Sequence, residues 1–376
     1  MNTRRMHVRN AQTRETAING RVIGPDYPPY VVAELSANHN GSLSQALRLI
    51  DAVQQAGADA VKIQTYRPDT LTLRCDKPDF LIQDGLWAGR HLYDLYEEAH
   101  TPWEWHPTLF EHAHRRGITL FSSPFDATAV DLLESLNTPA YKVASFEIVD
   151  LPLIARIAQC RKPMLISTGM ANDTEIAEAL QCALDHGAES VTLLHCVSSY
   201  PAPSEDYNLR TLSDMQRRFG VPIGLSDHTS DNSVATAAIA LGACVVEKHV
   251  TLSRQGGGPD DSFSLEPDEF ACLCRDARRV WSALGRVTYA RTNSEKQNNC
   301  FRRSLYFVKP LKAGDRIDAS AIRSVRPGYG LAPKHQAALI GCTVNTSVDY
   351  GDPVTWSVIH SPPAQKDIKK AQDNVL

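Results

Sequence analysis

The chain has 376 residues, of which 43 % are apolar and 22 % charged, with a formal net charge of −4. That length exceeds one ordinary domain and accommodates a large domain plus a small module. The near-balanced charge gives no electrostatic case for nucleic acid or a membrane surface.

The N-terminal stretch carries Arg4, Arg5, Arg9 and Arg14 with no apolar core after them. Residues 1–21 are therefore read as a disordered extension rather than a secretory or twin-arginine signal. From residue 30 the chain alternates β-rich runs with helical segments. The runs are 30–35 (YVVAEL), 60–65 (AVKIQT), 119–124 (TLFSSP), 140–145 (AYKVAS), 163–169 (PMLISTG), 191–197 (VTLLHCV), 222–228 (PIGLSDH) and 244–250 (CVVEKHV). They are almost continuously apolar, as strands covered on both faces must be. Between them, residues 43–56 place Leu43, Ala46, Leu47 and Ile50 on one helical face and end at Gly57, a residue suited to a left-handed cap. Eight such units predict a (β/α)₈ TIM barrel over residues 22–285. The interval from Tyr66 to Gly117 is long and is read as a loop and helix covering the barrel mouth.

Residues 286–299 (RVTYARTNSEKQNN) are polar and weakly patterned, and read as a linker. Residues 300–360 form a β-rich module of a size at which a core alone is marginal. The module includes a loop, 326–331 (RPGYGL), that places glycines behind Arg326. Residues 361–376 are polar and read as a flexible tail. The longest weakly polar run, 233–246, is too short for a bilayer span. Nine scattered cysteines without a CxxC pair fit reduced thiols in a cytoplasm.

Polar residues collect at the strand ends, where barrel enzymes carry their chemistry. The ends hold Glu34, Lys62 with Gln64, Ser122 with Ser123, Lys142 with Ser145, Ser167 with Thr168, His195, Ser226 with Asp227 and His228, and Glu247 with His249. Two imidazoles at adjacent strand ends, His228 and His249, can converge on one divalent cation. Only two protein ligands imply a metal that keeps positions for water and substrate. Asp227 and Glu247 stand beside them in sequence and strengthen that reading. Lys62 and Lys142, pointing into a barrel mouth, need anionic partners; a phosphate or carboxylate fits, with Ser145, Ser167 and Ser226 as hydroxyl donors. A Schiff-base lysine is the rival use. Glu34 and Glu247 are candidates for proton transfer.

Several ordered motifs resemble the sialic acid synthase family, including 33–41 (AELSANHNG), 58–65 (ADAVKIQT), 122–126 (SSPFD), 141–145 (YKVAS), 167–170 (STGM), 224–229 (GLSDHT), 247–249 (EKH) and 258–260 (GPD). The C-terminal module resembles the antifreeze-like (SAF, β-clip) domain of that family. Residues 101–106 (TPWEWH) and 257–267 (GGPDDSFSLEP) are most similar to the pseudaminate branch. The resemblance implies condensation of phosphoenolpyruvate with 2,4-diacetamido-2,4,6-trideoxy-altrose, with N-acetylneuraminate or legionaminate synthesis as the alternative. It implies a divalent cation, manganese with magnesium or cobalt as substitutes, on His228 and His249. Phosphoenolpyruvate would meet Lys62, Ser123, Lys142, Ser145, Ser167, Ser226 and Ser198, the last replacing a usual asparagine. Glu34, Glu247 and His249 would be catalytic; Gln64, Tyr200 and Asp260 would meet the sugar. Arg326 would reach the other subunit's site in a homodimer with exchanged C-terminal domains.

Overall fold

Successive strand residues face opposite ways, so a barrel strand needs one apolar set for the interior and another for the surrounding helices. The computed structural model describes residues 15–360, and the chain divides into two units after Gly285. The first opens with an antiparallel hairpin, β1 (Thr16–Ile18) and β2 (Arg21–Ile23). Eight parallel strands follow: β3 (Tyr30–Glu34), β4 (Ala60–Thr65), β5 (Thr119–Pro124), β6 (Tyr141–Val143), β7 (Pro163–Ser167), β8 (Ser190–Cys196), β9 (Ile223–Asp227) and β10 (Val245–His249). They close into a barrel through the β10–β3 pair, which is the expected TIM architecture.

Both residue sets are present. Val31, Ala33, Val61, Ile63, Leu193 and Val246 pack outward against the helices. Tyr30, Val32, Phe121, Leu165, Leu194 and Val245 fill the interior below the site. Ile18 and Ile23 of the hairpin join that inner cluster; burying each contributes about 1.5–3 kcal/mol. This corrects the extension expected over residues 1–21: its last part is a folded hairpin tied to β8 by a Thr16–Ser190 hydroxyl contact. Residues 1–14 of that expectation, and the tail expected over 361–376, lie outside the described residues.

The helix Leu43–Ala56 ends as its sequence predicts. Ser42 accepts from the Gln45 N–H at the start, and Gly57 (φ 93°) returns its own N–H to Gln54 and Val53 carbonyls. No helix among the described residues is long and apolar enough to cross a membrane. All nine cysteines are unpaired.

In the second unit, residues 286–298 are exposed. β11 (Ser304–Phe307) pairs with β12 (Ile322–Val325), and β13 (Thr343–Val344) with β14 (Ile359–His360). Leu305, Phe307, Ile317, Ile322, Leu339 and Val354 form its own core.

Candidate active site

Strand register assembles the site. In the barrel, His249 lies abreast of Glu34, Glu34 abreast of Lys62, and Glu247 abreast of Ser226. Their side chains, with Gln64, Ser123, Lys142, Ser145, Ser167, Ser198, Tyr200, His228 and Asp260, line one cavity of about 500 Å³ at the C-terminal strand ends. Every barrel residue that the family resemblance assigns to the cation, the substrates or catalysis thus lines one cavity.

The floor is a buried charge cluster. Lys62 Nζ lies 2.9 Å from Glu247 Oε1 and 3.3 Å from Glu34 Oε2, and Lys142 Nζ lies 3.8 Å from Glu247 Oε1. Ser226 donates to Glu247 (3.0 Å), and Gln64 Nε2 donates to Glu34 Oε1 (2.8 Å). Burial opposes ionisation of Glu247, but Lys142 and Lys62 overcome it and hold its carboxyl well below the usual range. Burial dominates at Glu34 and raises it, with Lys62 opposing. Burial pulls Lys142 down to about 8 against the attraction of Glu247. Lys62 is raised, because Glu247 and Glu34 together outweigh its burial. Two lysines therefore face one firmly ionised carboxylate, and Glu34, raised by burial, neutralises them less than an ordinary carboxylate would.

Three buried hydroxyls at this floor, Ser123, Ser167 and Ser198, have no hydrogen-bond partner among the described residues. Buried polar atoms are ordinarily satisfied, so these read as places for ligand oxygens. Gly169 makes the room: a Cβ there would lie 2.2 Å from Ser198 Oγ and 2.7 Å from Ser145 Oγ.

The His228 and His249 rings are 5.4 Å apart, centroid to centroid. His228 Nδ1 is 2.8 Å from the Val197 carbonyl, to which it donates, so Nε2 is the nitrogen left free for a ligand, and the residue lines the cavity. His249 Nδ1 is buried without a partner among the described residues; burial and then His228 hold this ring far below the ordinary imidazole range, so it stays neutral. Burial lowers His228, but Cys196, the Val197 carbonyl and Glu247 together outweigh it and raise the ring. Two convergent imidazoles able to offer lone pairs fit a divalent first-row cation. Among the described residues no cluster of three or more His, Cys, Asp or Glu side chains has the geometry to hold an ion.

Two expectations need correction. Asp227 does not stand beside His228 in the cavity: alternation turns it outward, where it meets Lys248 Nζ at 2.7 Å and accepts from the Thr229 N–H and hydroxyl. His195 also turns away from the cavity and bonds the Tyr207 carbonyl; Ser198 and Tyr200, just beyond the strand, serve the site instead. Tyr200 lies over His228 with ring centroids 4.3 Å apart. Asp260 is bonded to the Ser36 hydroxyl, and burial raises its carboxyl. Glu147 was not anticipated. It lines the cavity, its Oε2 has no partner, and burial lifts it to about 7 against Lys142.

Residues 49–289 match the NeuB family model and residues 302–359 the SAF domain model. The chain belongs to the NeuB family. Among its NeuB relatives are proteins named pseudaminic acid synthase. That of Campylobacter jejuni (serotype O:2) is 42 % identical over 87 % of this chain and 95 % of its own. That of Helicobacter pylori is 42 % identical over 84 % and 93 %. The crystal structure of the N-acetylneuraminic acid synthetase of Leptospira borgpetersenii, in complex with citrate, superposes with TM-score 0.68 at 30 % identity, covering 76 % of this chain and 94 % of that one.

Arg326 of the SAF domain is exposed. Its loop is anchored within that domain: Ser304 donates to the Pro327 carbonyl (2.7 Å) and Asn299 to the Gly328 carbonyl (2.9 Å).

Proposed function

We propose that this chain condenses phosphoenolpyruvate with 2,4-diacetamido-2,4,6-trideoxy-altrose, forming pseudaminic acid and releasing phosphate. The observation that carries the reading is the 42 % identity, over almost the whole of the relative, to a protein named pseudaminic acid synthase. The site chemistry supports it. The ammonium groups of Lys62 and Lys142, with the hydroxyls of Ser123, Ser145, Ser167, Ser198 and Ser226, suit the phosphate and carboxylate of phosphoenolpyruvate. Gln64, Tyr200 and Asp260 line the same cavity and suit sugar hydroxyls.

His228 and His249 would hold a divalent cation, proposed as manganese with magnesium or cobalt as substitutes. When bound, such a cation supplies Lewis-acid polarisation of a carbonyl oxygen. The enol carbon of phosphoenolpyruvate bonds to the aldehyde carbon, and the aldehyde oxygen takes up a proton. Cationic character develops at the carbon bearing the phosphate, where water adds and gives up a proton; phosphate then leaves with C–O cleavage. Glu34, raised by burial, would transfer these protons. Glu247 remains ionised and would stabilise the developing positive charge. Holding both reactants in one cavity supplies proximity worth about 7–11 kcal/mol. Phosphoenolpyruvate labelled at its bridging oxygen tests the step: the label should leave in phosphate, and label retained in the sugar contradicts it.

One observation favours a second reading. A buried lysine lowered to about 8, such as Lys142, has the property an imine-forming lysine needs. Borohydride trapping with pyruvate separates the two; the condensation reading expects no adduct.

We further propose a cytoplasmic homodimer in which Arg326 of each chain serves the other chain's site. The support is an exposed multi-donor side chain on an anchored loop.

A further inference from the structure

Between β4 and β5 lies a helix, Leu92–Ala99 (LYDLYEEA). Leu92, Leu95, Tyr96 and Ala99 fall at i, i+3, i+4 and i+7 on one face, while Asp94, Glu97 and Glu98 are exposed. A surface helix ordinarily spends such a stripe on packing. Here all four residues line the site cavity, joined by Ile82 and Trp87 from the same segment. The indole N–H of Trp87 is already spent on the Pro259 carbonyl at 3.0 Å. The wall therefore presents mainly carbon, while the floor at the strand ends presents lysines, carboxylates and serine hydroxyls.

We infer that this wall is the subsite for the methyl-terminated end of the acceptor sugar, and that it makes the enzyme select a 6-deoxy sugar over one ending in a hydroxymethyl group. The inference rests on the proposed condensation. The aldehyde carbon must reach the floor where phosphoenolpyruvate is held, so the far end of the carbon chain is directed to the wall. A methyl group there removes apolar surface from water. A hydroxymethyl group there loses water, and Ile82, Leu92 and Leu95 offer its hydroxyl no replacement partner. An apolar pocket discriminates against an added hydroxyl by no more than about a hundredfold, so a preference of about ten- to a hundredfold in kcat/KM is expected, carried mainly by the sugar's KM.

The test uses the full chain, phosphoenolpyruvate and two pairs of sugars, each pair differing only at carbon 6. One pair is the diacetamido-trideoxy-altrose and its 6-hydroxy counterpart; the other is N-acetyl-6-deoxymannosamine and N-acetylmannosamine. In whichever pair is turned over, the deoxy member should win by about tenfold or more. Leu92→Asn and Ile82→Asn should each compress that ratio by at least about threefold with the KM for phosphoenolpyruvate within about twofold of the parent, and Leu92→Met should keep the ratio. Equal kcat/KM within a pair for the parent enzyme, or a ratio unmoved in both folded Asn variants, overturns the subsite. Turnover of the mannosamine pair alone overturns the diacetamido-altrose reading instead, and the subsite is then judged on that pair.

Discussion

Lys142 is buried, and burial brings its ammonium down to about 8 although Glu247 opposes the change. The sign of the consequence follows from which form binds. Below that value Lys142 is a cation able to pair with phosphate; above it the side chain is neutral and Glu247 loses part of its compensation. The value of kcat/KM for phosphoenolpyruvate reports the free enzyme, so it should fall by about tenfold per pH unit above about pH 8. The limb in kcat should lie higher, because a bound anion restores the proton. A profile for kcat/KM that stays flat through about pH 10 would contradict the assignment. The imidazoles make a separate prediction. If His228 and His249 hold the cation as proposed, His249→Ala removes one of two ring ligands, and manganese affinity by calorimetric titration should drop by at least about tenfold, with the melting temperature of the metal-free protein little changed. Unaltered affinity would place the cation elsewhere.

Elements hold these residues at the right height. The Asp227–Lys248 pair lies outside the cavity, between β9 and β10, and Lys248 Nζ also donates to the Thr229 carbonyl at 2.7 Å. It pins the ends of the two strands that carry His228 and His249. Lys248→Met leaves Asp227 buried without its cation, and urea denaturation should show a loss of about 3–5 kcal/mol. A change below about 1 kcal/mol would mean the carboxyl is simply protonated or solvated. The barrel itself was legible because its signals are local: near-continuous apolar runs, Gly57 past a helix end, and polar residues at each strand terminus. What the sequence did not disclose depends on distant contacts or on direction. The β1–β2 hairpin has too few apolar residues to show a period, and is held by Ile18 and Ile23 entering the barrel interior. Asp227 looked like a neighbour of His228 because adjacency in sequence conceals alternation in a strand. Glu147 escaped notice because it lies in a 3₁₀ turn, Ser145–Glu147, beyond the end of β6 rather than on it.

For the whole molecule, the small C-terminal unit and its exposed Arg326 lead to a complementation experiment. Arg326→Ala and His249→Ala should each be inactive alone. If each chain's arginine serves its partner, a mixed dimer puts both defects in one site and neither in the other, and activity should return to about half per mixed dimer. A mixture that stays inactive after demonstrated subunit exchange would confine the arginine to its own chain. The reaction itself is tested by mass spectrometry of the product. The purified chain is incubated with phosphoenolpyruvate, a divalent cation and, in parallel, N-acetylmannosamine and the diacetamido-trideoxy sugars of altro and manno configuration. The account predicts a nonulosonic acid formed fastest from the altro sugar, with one phosphate released per product; preferential conversion of either of the other two, or no product from any of the three, would contradict it.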